Sequence, residues 1–153
     1  VALLDVASMH PNSIINMTCF GKYTERFKEL VDARLNIKHD NLDEVANMFD
    51  GKLRKYLNDK ESVKALSGAL KIPINSVYGL TSASFDNPFR DKRNVNNIVA
   101  LRGALFMRTL QDEVQDRGFT VAHIKTDSIK IPDATPEIIN FVMEFGKKYG
   151  YTF

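Results

Sequence analysis

The sequence predicts an α+β fold: an antiparallel sheet with helices on one face and a helical excursion leaving one edge. Three observations lead there. Two short apolar strands end on aspartate, one over residues 1–5 and one over 119–124 that runs through Lys125 and Thr126 into Asp127. The chain between them carries helical periodicity and no clear strand pattern. Strands and helices do not alternate regularly, so a doubly wound parallel sheet does not account for the order.

The elements follow in turn. After the first strand, His10-Pro11-Asn12 reads as a turn, and 13–20 as an irregular or helical piece interrupted by Gly21. Residues 24–39 suit a helix capped by Thr24, with Phe27, Leu30, Val31, Leu35 and Ile37 mostly on one face. A second helical stretch carries Leu42, Val45, Met48 and Phe49, and Asp50-Gly51 breaks or bends it. A third runs from about residue 60 toward Tyr78. Pro73 should bend it, and Gly79 suits the position just beyond its end. The loop 81–93 has no clear period. A long helix over 94–116 carries an apolar stripe of Val95, Ile98, Leu101, Leu105, Leu110 and Val114, closed by Arg117-Gly118. Strands 119–124 and 128–131 then flank a tight turn at Lys125-Thr126-Asp127. Thr135-Pro136-Glu137 opens a last helix to about residue 148.

Composition sets bounds on function. The 153 residues suit one domain, or one core with a protruding subdomain, and 44% hydrophobic residues suffice for that core. A formal charge of +2 is too small to argue nucleic-acid binding by itself. The local run Arg90-Asp91-Lys92-Arg93 suits either a solvated loop or a phosphate-facing patch. The single Cys19 excludes an internal disulfide and fits a reducing compartment. No apolar stretch approaches the roughly 20 residues that span a bilayer, so no membrane partner is expected. The chain opens inside an apolar strand with neither initiator Met nor signal peptide, which reads as a truncation.

The chemistry rests on three blocks. Asp5 and Asp127 stand at strand ends, where a carboxylate is open to solvent and ligand. Two such carboxylates with substrate phosphates and water match the oxygen ligands that Mg²⁺ takes. For either aspartate taken alone, turn chemistry is the more economical account. The middle block is Lys71-Ile72-Pro73-Ile74-Asn75-Ser76-Val77-Tyr78-Gly79. Helical spacing puts Lys71, Asn75 and Tyr78 on one face, with a cation for phosphate oxygens and an amide and a ring for a base pair. Periodicity alone also allows a packed helix with a solvated lysine.

Together the blocks resemble motifs A, B and C of family B DNA polymerases, and the likeness is nearest to phage members. K-x-x-x-N-S-x-Y-G is matched at every specified position, from Lys71 to Gly79. D-x-x-S-L-Y-P-S is matched at Asp5, Ser8 and Pro11, with Met9, His10 and Asn12 replacing its other residues. Y-x-D-T-D-S is matched at Thr126, Asp127 and Ser128, with His123 for its Tyr and Lys125 for its first Asp.

The resemblance implies a palm over residues 1–20 and 81–153 and helical fingers over 21–80, with thumb and exonuclease outside this sequence. The implied activity is two-metal nucleotidyl transfer from a dNTP to a primer 3′-hydroxyl on primer-template DNA. Mg²⁺ is the implied cofactor, with Mn²⁺ as a substitute. Asp5 and Asp127 are the implied catalytic metal ligands, joined by the Val6 carbonyl. Ser8 and Met9 amides, His10, Arg34, Lys38, Lys71, Asn75 and Tyr78 are implied in nucleotide binding. Lys125, Thr126 and Gly79 are implied at the DNA. Arg34 and Lys38 equally suit a solvated basic face. The implied setting is the cytoplasm of a phage-infected or prophage-bearing bacterial cell.

Two departures matter. His10 stands where the family has a tyrosine that screens against the sugar 2′-hydroxyl. Lys125 puts an ammonium where the family has a carboxylate, which repels cations if it faces inward. This second departure sustains an alternative, a catalytically degenerate polymerase-like module that binds nucleic acid.

Overall fold

The structure is a computed structural model that describes residues 1–90, 93 and 97–153. The chain divides into two compact units. One joins Val1–Asn16 to Arg93–Phe153, and the other is Met17–Lys92. Residues 81–90 fall in the second unit, whereas the sequence reading grouped them with the long helix that follows.

The first unit is α+β. Strands β1 (Ala2–Asp5), β2 (His123–Ile124) and β3 (Ser128–Ile131) form an antiparallel sheet in the order β1-β3-β2. Its helices are α1 (Met9–Asn16), α5 (Ile98–Asp116) and α6 (Pro136–Lys148). Strand alternation decides what packs. Leu4, Ile129 and Ile124 occupy one face and join the core, while Leu3, Lys130 and His123 occupy the other and are exposed. Helices α5 and α6 cover the first face through Phe106, Leu110, Val114, Ile138, Val142 and Phe145. Tyr151 closes the core, its ring centroid 4.5 Å from that of Phe106 and its hydroxyl hydrogen-bonded to the buried Ser13 hydroxyl at 2.6 Å. Thr135 caps α6, accepting from the Ile138 amide, and Gly118 ends α5 at φ +86°.

The second unit is helical: α2 (Thr24–Lys38), α3 (Leu42–Asn47) and α4 (Lys60–Thr81), linked by short 3₁₀ turns. Phe27, Val31 and Ile37 of α2, Val45 of α3 and Leu70 and Ile74 of α4 are buried. Asp59 caps α4 by accepting from the Ser62 amide at 2.9 Å.

Several local expectations are overturned. His10-Pro11-Asn12 lies inside α1; Pro11 is tolerated because first-turn amides have no helical acceptor to lose. Thr24 does not cap α2, since a 3₁₀ turn at Gly21–Tyr23 leads straight into the helix and already takes up its amide. Gly79 does not end α4, which runs on to Thr81. Phe49 and Asp50 do break the second helical stretch, with φ of 51° and 57°. The buried stripe of α5 is Val99, Gly103, Phe106, Leu110 and Val114, whereas Leu101 and Leu105 are exposed. Val95 lies outside the described residues. Gly103 is selected by close approach: a Cβ there would stand 2.8 Å from the Met9 sulfur of α1.

Candidate functional site

The first unit brings the first and third sequence blocks together. Register sets Asp5 opposite Ser128, and the Val6 amide donates to the Asp127 carbonyl at 2.7 Å. Across the other turn, the Lys125 amide donates to the Ser128 carbonyl at 2.8 Å. The two aspartates therefore occupy neighbouring strand ends. Asp5 is exposed, Asp127 is half-buried, and Lys125 and Thr126 are exposed.

Beyond Asp5 the chain turns sharply. Ser8 takes a left-handed conformation (φ 51°), which starts α1 at Met9. The Asn12 side chain steadies this turn, donating to the Ala7 carbonyl at 2.7 Å, while its amide donates to the Ser8 carbonyl at 2.9 Å. Asn12 is a supporting residue the sequence reading missed. Its sole signal was an amide-bearing residue where the resembling motif has serine. Met9 is buried in the core, so only its backbone is available to a ligand.

His10 is half-buried, and this burial holds its imidazole below the ordinary value of 6.5. The Asp127 carboxylate pulls the other way. His10 thus lies within the field of the third block's aspartate, an electrostatic link between blocks more than a hundred residues apart in sequence.

The donor set fits a hard divalent cation. Asp5 and Asp127 offer carboxylate oxygens, and no group of three or more His, Cys, Asp or Glu that could hold a metal occurs among the described residues.

The remaining candidates lie in the second unit. Lys71, Asn75 and Tyr78 share one face of α4 beside the buried stripe of Leu70 and Ile74; Lys71 and Asn75 are exposed and Tyr78 is half-buried. Gly79 is exposed, and nothing lies within 4 Å of where its Cβ would be. On α2, Lys38 is exposed and Arg34 half-buried, with its Nε buried and without a hydrogen-bond partner among the described residues. Of the basic run 90–93, Asp91 and Lys92 lie outside the described residues.

No helix among the described residues is long and apolar enough to cross a membrane. No protein-family model matches the chain, and no curated protein matches it.

Proposed function

We propose that the chain forms the palm and fingers of a DNA-directed DNA polymerase of the family B type. The observation that supports this reading is the register that sets Asp5 opposite Ser128, with the Val6 amide bonded to the Asp127 carbonyl. The motif residues of α4 and the polar strand-to-helix turn at Ser8 add to it. In this reading Asp5, Asp127 and the Val6 carbonyl hold Mg²⁺, which supplies charge neutralisation for the triphosphate and activation of the primer hydroxyl. The Ser8 and Met9 amides, at the start of α1, bind phosphate oxygens. Lys71, Arg34 and Lys38 neutralise the triphosphate, and Asn75 and Tyr78 orient the nascent base pair. His10 stands at the sugar. Lys125, exposed at its strand end, faces the primer backbone and not the metal, and Thr126 and Gly79 adjoin the DNA.

The test is primer extension by the full protein that carries these residues, with primer-template DNA, dNTPs and Mg²⁺. Templated addition that is lost in Asp5→Ala and Asp127→Ala variants is expected. Nucleic-acid binding with no extension under Mg²⁺ or Mn²⁺ assigns the chain to the degenerate binding module.

A further inference from the structure

Nucleotide chemistry does not account for the aromatic side of the second unit. A cavity of about 910 Å³ opens among Phe20, Phe27, Leu30, Phe49, Val77 and Phe89. Small-molecule pockets run from roughly 300 to 1,000 Å³, and they too are mostly apolar with a few polar groups. Phe20 meets Phe27 and Phe89 edge-on, with centroids 5.4 and 5.8 Å apart, making a corner of ring edges and faces.

Two features argue for what fills it. The first is preorganisation. Phe49 is held in a left-handed conformation, and its amide donates to Glu29 Oε1 at 3.0 Å, so this wall is set before a ligand arrives. The second is charge. Among the described residues the only ionic side chains on the wall are Arg26 and Arg90. Arg26 is committed elsewhere, paired with Glu29 at 2.6 Å and lying over the Phe49 ring. Arg90 is exposed and forms no ion pair among the described residues. A greasy cleft with one uncompensated guanidinium is complementary to a molecule with an apolar body and one acid group.

We propose that this cavity binds an amphipathic organic anion, its aromatic or aliphatic body seated among the phenylalanines and its acid group at Arg90. This goes beyond the polymerase reading and does not depend on it, because the test needs neither metal nor nucleotide. Two probes of matched shape separate the contributions: 8-anilinonaphthalene-1-sulfonate and its uncharged counterpart N-phenyl-1-naphthylamine. Both should bind saturably with one molecule per chain. Arg90→Glu should weaken the sulfonate about fivefold and leave the neutral dye unchanged. Val77→Trp should displace both by filling the cavity. Phe89→Ala, at an exposed loop position, should weaken both. Sulfonate binding that is unsaturable, exceeds one per chain or ignores Arg90→Glu overturns the proposal. A dimer that Phe89→Ala dissociates also overturns it, since the cavity then belongs to a second copy of the chain.

Discussion

The main-chain amide of Val6 donates to the carbonyl of Asp127, so the residue following one strand-end aspartate is bonded to the other aspartate itself. The main chain at the two aspartates is thus coupled directly at the strand ends. Side-chain substitution at either aspartate changes charge while leaving this tie in place, which makes the pair suited to mutagenesis.

Asp127→Ala should abolish Mg²⁺-dependent dNTP binding, while Lys125→Ala should leave it within about twofold, since the exposed ammonium is screened by solvent. Calorimetric titration of both variants decides this. Equal losses would place Lys125 inside the site.

His10 should titrate below 6.5, because burial outweighs the opposing pull of Asp127. Asp127→Asn removes the raising influence and should move the titration further down. The unfolded chain binds this proton first as pH falls. The stability contribution of neutral His10 is therefore intact above 6.5, declines as pH drops below it, and is fully lost below the folded-state value. NMR titration of the imidazole measures both shifts; a value above 6.5 contradicts the assignment.

One substitution at two glycines should act in opposite directions. Gly103→Ala drives a methyl against the buried Met9 sulfur, and overpacking should outweigh the gain in helix propensity, for a net loss of about 1 kcal/mol. Gly79→Ala adds its methyl to open space inside α4 and should stabilise by about 0.5–1 kcal/mol. Urea unfolding of both variants provides the comparison.

Tyr151→Phe should cost about 1–3 kcal/mol, because it strands the buried Ser13 hydroxyl. Ser13→Ala added to it should cost less than the sum of the single changes. Strict additivity in denaturant titrations would mean that the 2.6 Å contact contributes no coupling.

The strand-end aspartates were legible because turn residues are local signals, and the hairpin at Lys125-Thr126-Asp127 formed, although its first strand is confined to His123–Ile124 and does not span the expected 119–124. The α5 stripe was not. Leu101 and Leu105 suit a helical face as well as Val99 and Phe106 do, and a hydrophobicity pattern cannot register that Gly103 is chosen for the room it leaves Met9. Thr24 misled because a preceding 3₁₀ turn does the work of a cap. Gly79 misled because glycine also persists in a helix interior when neighbours hold the helix. The left-handed turn at Ser8 and the support from Asn12 depend on tertiary placement, which no local pattern carries.

The pairing of β1 with β3 joins residues ~120 positions apart, with an entire helical unit threaded between them. During synthesis β1 is made well before its partner β3, so the strand bearing Asp5 waits unpaired while the intervening helices form. A closure of such long range is slow to nucleate. The strand ends that carry both aspartates therefore come together only once residues 128–131 have been made, and the apolar residues of β1 stay exposed to misassociation until then.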